Sequence, residues 1–229
     1  MTKKIIIKSF YDKNSQTDYK KYHNTQVKMW DSKRNKRRSP TEYEAVYNII
    51  SQHLPKDKED KIEMICLGAR NNHERDCFDS HLKNNQYLNS SVYSLDISPD
   101  ANVDYIYDFG NLPKEWTNRF DIVYTNAPDH SFDFFKCISE WHRIVKEKTG
   151  ILIMGISDQD IINDEINGIV SENIGTYEPH AHDCTKFEKE SVDLICKEYF
   201  KNTDFIHSTQ GVFRGSKHHM HYNYWLCKK

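Results

Sequence analysis

The stretch Phe120–Met154, FDIVYTNAPDHSFDFFKCISEWHRIVKEKTGILIM, decides the fold class. It opens on a short apolar run that ends in the polar turn Thr125–His130. A helix of the pattern xExxRxxK follows, with Glu140, Arg143 and Lys146 in the fixed places, and Gly150 then leads into a second apolar run. Apolar runs this short, bounded by turn residues and separated by a helix, read as strands buried on both faces. That is the grammar of a parallel sheet with helices packed against it.

The same alternation extends in both directions. Strands are predicted near Ile62–Leu67, Val92–Ile97, Val103–Tyr107, Asp121–Thr125 and Gly150–Ile156, and helices near Glu74–Lys83 and Phe132–Lys146. A later helix, about Glu188–Phe200, carries Val192, Ile195, Cys196 and Tyr199 on one side, with Thr185 and Glu188 spaced as a capping box. The chain ends in two β-like runs, Asp204–Gln210 and His221–Cys227, whose Gly-containing connection predicts an antiparallel hairpin.

Ahead of this unit the chain is polar. A helix around Tyr19–Trp30 places Tyr19, Tyr22, His23, Gln26 and Trp30 at helical spacing, and the basic run SKRNKRR follows at Ser32–Arg38. Ser39-Pro40-Thr41-Glu42 combines an N-cap Ser, a first-turn Pro and a Glu three after the cap. The helix it starts would carry Tyr43, Val46, Tyr47, Ile50 and Leu54 in one stripe and stop at Pro55. We therefore divide the chain into an N-terminal helical cap over residues 1–60 and a core over 61–229.

A chain of 229 residues supports one such core with decorations. Its 37% hydrophobic and 13% aromatic content argues for a folded protein, and a net charge of -2 gives no global drive toward nucleic acid or an anionic membrane. The longest apolar runs, such as Ile151–Ile156, are too short to span a bilayer, and MTKKIIIKSF lacks the apolar stretch of a signal peptide, so a cytoplasmic protein is expected. Cys66, Cys77, Cys137, Cys184, Cys196 and Cys227 have no CxxC spacing and read as small reduced hydrophobes.

With the strand, turn, helix and strand of Phe120–Met154 in view, the chain resembles the class I S-adenosylmethionine-dependent methyltransferases. The resemblance covers Ile62–Ile156 well and the remainder in outline. It implies an α/β three-layer sandwich around a seven-stranded, mostly parallel sheet, in which the closing hairpin supplies an antiparallel C-terminal strand. CLGAR at Cys66–Arg70, with Glu74 beyond it, is similar to a subgroup whose first motif reads C-hydrophobic-G-A-R, and Thr125–His130 is close to that subgroup's TNSLDH. The family's usual first motif is acidic-x-Gly-x-Gly-x-Gly. Here Gly68 alone remains, with Cys66, Arg70 and Asn72 in the other places.

In an open α/β sheet, ligands sit beyond the carboxyl ends of the strands. Gly68 permits close approach of a ligand to the backbone, its alternative being a plain tight turn. Asp96, one strand-helix-strand unit later, stands where the family places a carboxylate on the ribose diol, and Asp108 in DFGNLP resembles the D-x-x-x-LP step that accepts from the adenine amine, with Phe109 over the ring. Their alternatives are a helix-capping or turn Asp and an Asx turn before Gly110. The resemblance thus implies S-adenosyl-L-methionine as cofactor, held by Leu67, Gly68, Ala69, Arg70, Asp96, Ile97, Asp108, Phe109 and Asn126. His130 is the candidate general base with Asp129 orienting it, unless Asp129 merely caps a helix starting near Ser131.

Two histidine groups, His180, His182, Asp183 and Cys184, and His218, His219 and His221, contain metal-type ligands without a recognised spacing, and no metal site is expected. The methyl acceptor is expected to be a small molecule or a glycan. RNA contact through Lys33–Arg38 is a further option, set against a solvated linker. The segment Asp158–His182 is read as the substrate-facing insertion and Tyr19–Trp30 as a lid. Two other readings stay open: a non-catalytic methyltransferase-like scaffold or S-adenosylmethionine-binding protein, for which the glycine-poor first motif argues, and an NAD-dependent oxidoreductase, which the missing GxGxxG disfavours.

Overall fold

The computed structural model describes residues 7–9, 11–33, 35, 43–157, 185–208 and 222–229. Nine strands are named in chain order: β1 Ile7–Ser9, β2 Glu63–Leu67, β3 Ser91–Asp96, β4 Tyr105–Ile106, β5 Ile122–Thr125, β6 Ile151–Ser157, β7 Thr185–Phe187, β8 Asn202–Ser208 and β9 Tyr222–Lys228. Five α-helices accompany them: α1 Gln16–Lys33, α2 Glu44–His53, α3 His73–Asn84, α4 Phe134–Ile144 and α5 Lys189–Tyr199.

Seven strands form one sheet in the order β4-β3-β2-β5-β6-β9-β8. The pairs β2/β3, β2/β5, β3/β4 and β5/β6 are parallel, whereas β9 runs antiparallel to both β6 and β8. The hairpin therefore forms as expected. Its reversed strand lies one position in from the edge, where seven residues of β9 pair with β6 from Ser157↔Tyr222 to Ile151↔Lys228.

Period-two alternation splits the strand side chains between two cores. Ile65, Val123, Leu152 and Trp225 face a layer with Ile138 and Trp141 of α4 and Val192 and Ile195 of α5. Met64, Tyr124, Ile153 and Tyr224 face a second layer with Val46 and Ile50 of α2 and Phe78 and Leu82 of α3. The result is the three-layer sandwich, with α2 packed in it by the same contacts as α3.

The helices obey local rules, and some start elsewhere than expected. Ser15 caps α1, its Oγ accepting from Asp18 N at 3.2 Å. Asp133 caps α4, its side chain accepting from Lys136 N, and α4 buries Phe134, Cys137, Ile138, Trp141 and Ile144 along one stripe. This settles the alternative for Asp129: it is not the α4 cap but sits in the 3₁₀ turn Pro128–His130. The Ser39–Glu42 box lies outside the described residues, and α2 proper begins at Glu44.

Thr185 does not cap α5, because it belongs to β7 and its Oγ1 donates to Ser131 O at 2.9 Å. β1 and β7 form a small antiparallel pair, Ile7↔Phe187 to Ser9↔Thr185, which the sequence does not announce. Strand β4 keeps only two of the five residues expected, since Asp104 is drawn off to β3, its Oδ2 accepting from Ser94 N at 2.8 Å.

The Glu140, Arg143 and Lys146 pattern is structural. Arg143 donates to both Glu140 oxygens (Nε to Oε1, 3.0 Å; Nη2 to Oε2, 2.7 Å) and also to Leu112 O, Pro113 O and Thr117 Oγ1, while Glu140 Oε2 accepts from Leu112 N. One ion pair thus fastens the connection that follows β4 to α4. Burial by itself would raise the Glu140 pKa, but the Arg143 guanidinium and the Leu112 amide outweigh it and hold the carboxyl below the ordinary range. Lys146 Nζ reaches Asp121 Oδ1 at 2.8 Å at the foot of β5.

Candidate functional site

The carboxyl ends of β2, β3, β4 and β5 meet under α1. The turn after β2 is left-handed at two residues, Gly68 at φ 71° and Arg70 at φ 54°. Gly68 is needed there on two counts. An L side chain rarely adopts that φ, and a Cβ would come within 2.9 Å of Ala127 Cβ and 3.4 Å of the Phe109 ring. The Gly68 backbone thus packs directly against Ala127 and Phe109, which pins the turn to the ends of β5 and β4.

Asp96 closes the next strand. It is buried, with Oδ2 accepting from Arg70 N at 2.9 Å and Oδ1 from Ser98 N at 2.9 Å. Burial pushes its pKa up, and the two amide bonds pull the other way. A carboxylate offers about four lone-pair sites, so two amide donors leave acceptor capacity for a diol. Asp108, beyond β4, accepts from Gly110 N with Oδ1 (2.8 Å), the Asx turn anticipated as its alternative, and from the Tyr19 hydroxyl with Oδ2 (2.8 Å). Phe109 is buried between Gly68 and Trp141, whose Nε1 donates to Phe109 O at 3.1 Å.

Beyond β5, Asn126 turns away from the cleft: its Nδ2 donates to Glu74 Oε1 at 2.7 Å, and the same oxygen accepts from the Tyr43 hydroxyl at 3.2 Å. Ala127, one residue on, faces the cleft in its place. Asp129 and His130 lie side by side, Oδ2 to Nε2 at 3.5 Å, with Asp129 buried and His130 on the cleft wall.

Of the residues singled out in the sequence, Gly68, Arg70, Asp96, Ile97, Asp108, Phe109 and His130 line one cleft. Leu67 and Ala69 are buried in opposite core layers beneath it, and Asn126 and Asp129 stand behind the wall. Helix α1 supplies the roof through Tyr22, Gln26, Met29 and Trp30, with Trp30 Nε1 donating to Arg70 O at 2.6 Å. Met29 and Ala127 were missed. Met29 continues the buried Tyr22 and Gln26 face by three residues, a signal the helical period contained.

The cavity under this roof is only about 40 Å³, well below the roughly 300 Å³ at which small-molecule pockets begin. A second cavity, about 360 Å³, lies on the other side of Asp108 and is lined by Tyr19, Asp108, Asn111, Phe132 and Lys136 among others. The two histidine groups, Asp158–His182 and most of Lys33–Arg38 lie outside the described residues. Among the described residues no helix is long and apolar enough to cross a membrane. Cys66, Cys137, Cys196 and Cys227 are buried free thiols and Cys77 is half-buried, while Cys184 lies outside the described residues.

No family model and no curated protein matches the sequence. Solved structures do match. A phosphoethanolamine N-methyltransferase 2 of Haemonchus contortus, in complex with phosphomonomethylethanolamine and S-adenosylhomocysteine, superposes at TM-score 0.52 and 14% identity over 83% of this chain and 58% of its own. This chain thus spans little more than half the length of that neighbour. The 1,6-didemethyltoxoflavin-N1-methyltransferase of Burkholderia thailandensis, with its substrate and S-adenosylhomocysteine bound, reaches 0.59 at 13% identity, covering 94% of this chain and 90% of that one. The geranyl diphosphate C-methyltransferase of Streptomyces coelicolor A3(2), in complex with Mg2+, geranyl diphosphate and S-adenosyl-L-homocysteine, reaches 0.58 at 11%, covering 91% and 98%. At such identities the likeness is one of architecture: the chain has the fold of the class I S-adenosylmethionine-dependent methyltransferases.

Proposed function

We propose that this protein is an S-adenosylmethionine-dependent methyltransferase acting on a small molecule or a glycan. The observation that carries the reading is the convergence of the Gly68 turn, the buried Asp96 carboxylate and Asp108 on one cleft across the strand ends. Two carboxylates at neighbouring strand ends are an acceptor set that fits the diol and amine of a nucleoside. Asp96 would accept from the ribose diol and Asp108 from the purine amine, while the Ala69 and Arg70 amides stay spent on Leu95 O and Asp96.

When bound, the cofactor supplies an electrophilic methyl group on a sulfonium sulfur. The chain's contribution is placement and exclusion. The β5 end carries Ala127 and His130 into the cleft, and α1 covers it, so an acceptor held there is desolvated and aligned. His130, on the cleft wall, is the residue proposed to take the acceptor's proton, and Asp129 orients its ring. Asn126 acts behind the wall, tying the β5 turn to Glu74 at the start of α3.

Calorimetry with S-adenosylmethionine and S-adenosylhomocysteine tests the reading. Micromolar binding is expected, and Asp96→Ala should weaken it by about a hundredfold, through loss of a charged acceptor and of the amide bonds that shape the turn. Absence of binding by both ligands sinks it. A non-catalytic role has one observation in its favour, the non-glycine Arg70 at φ 54° under Trp30. Binding without methyl transfer to any small-molecule, glycan or RNA acceptor offered would select that reading.

A further inference from the structure

The two cavities of the site share one lining residue. Asp108 lines both, and the Tyr19 hydroxyl sits on its Oδ2 at 2.8 Å from the side of the larger one. The Tyr19 ring is held in that place by Tyr22 (centroids 5.8 Å apart) and Phe132 (5.3 Å). Burial, and then the neighbouring Asp108 carboxylate, push the Tyr19 pKa well above the ordinary phenol value, so the hydroxyl remains a donor across the working pH range. Asp108 Oδ1 accepts from Gly110 N, and the Tyr19 hydroxyl and ring stand in the approach to Oδ2 that an incoming exocyclic amine would take.

We propose that Tyr19 is the gate of a purine subsite: it must release Asp108 before the small cavity under α1 and the 360 Å³ cavity beyond it join into one groove that accepts the nucleoside end of a ligand. Once Tyr19 has swung aside, the purine lies against Phe132, its amine takes over Oδ2, and Asn111 and Gln16 border its far edge. The contact spans 89 residues of sequence, so it fastens the amino-terminal half of α1 to the sheet just as Trp30 on Arg70 O fastens the other half. Ligand entry and the loosening of α1 are then one event. The inference rests on the cofactor reading above and adds a gate to it.

Tyr19→Phe removes the hydroxyl and keeps the ring packing, so the variant should fold. Two measurements are made on the full chain. In the ligand-free protein, amide hydrogen exchange in α1 should quicken by about tenfold, the effect of losing one hydrogen bond to a charged acceptor. In stopped flow, S-adenosylhomocysteine should associate with the variant about tenfold faster than with the wild type. Unchanged exchange in α1 would overturn the gate, since Tyr19 would not then hold the helix. Unchanged or slower association, with binding intact in both proteins, would also overturn it while leaving the cofactor reading standing. If neither protein binds S-adenosylhomocysteine although exchange in α1 quickens, the cofactor reading fails and the purine gate falls with it.

Discussion

The β5–α4–β6 unit and the turn between β2 and α3 are built to opposite ends. In the first, nearly every polar group is spent on structure: Asp133 caps α4, Arg143 and Glu140 clamp the 112–117 connection, and Lys146 meets Asp121. Its left-handed residue, Lys148 at φ 69°, lies in the connection before β6, away from the cleft. In the second, two residues are left-handed, a glycine is wedged against Ala127 and Phe109, and a carboxylate is buried on backbone amides. The first region identifies the fold, and the second, with His130 at the end of β5, carries the residues of the proposed site. Strain and buried charge persist only where the surrounding scaffold holds them in place.

The contrast predicts different failures. Trp141→Ala, in the fully buried centre of α4, should cost about 3–5 kcal/mol in urea unfolding and loosen the cleft only as part of global destabilisation. Gly68→Val should cost less, about 2–4 kcal/mol from the left-handed φ and the contact with Ala127, yet abolish S-adenosylhomocysteine binding in calorimetry while the folded baseline persists. If Gly68→Val binds normally, the turn does not shape the ligand site and the comparison breaks.

Acid separates the regions by sign. The Glu140 pKa is depressed in the folded state, so its stabilisation is present above the ordinary Glu value of about 4.3 and is lost as pH falls through the folded value. The Asp96 pKa is raised, so its contribution runs the other way: the burial penalty is relieved as pH falls through the raised value. Unfolding free energies at pH 7 and pH 4 should therefore differ less in Glu140→Gln than in the wild type and more in Asp96→Asn. Equal pH responses in both variants would erase the distinction. The smallest effect is expected from Lys146→Ala, whose half-exposed pair with Asp121 should be worth within about 0.5 kcal/mol by thermal melting.

The scaffold was readable because its signals are local. Short apolar runs with turn residues at their ends placed β2, β3, β5, β6 and the β8/β9 hairpin to within a residue or two. Long-range partners overrode local signals elsewhere. Asp104 shortens β4 by bonding β3, and Ser131 O draws Thr185 into β7 rather than onto the end of α5. The site divides in the same way. Gly68, Asp96, Asp108 and His130 could be named from strand ends, but Asn126 could not be seen turning to Glu74, nor Tyr19 reaching Asp108, because those partners are 52 and 89 residues apart.

By itself, then, the sequence determined the order of strands and helices, the buried stripes and the residues at each strand end, since periodicity and turn chemistry act over a few neighbours. Only the tertiary structure decided that β9 enters one strand in from the edge, that Asn126 turns back to Glu74, and that the hydroxyl of Tyr19 bonds Asp108. These are meetings of distant chain segments. They are set by which faces remain to be buried once the sheet has formed, and no local pattern encodes them.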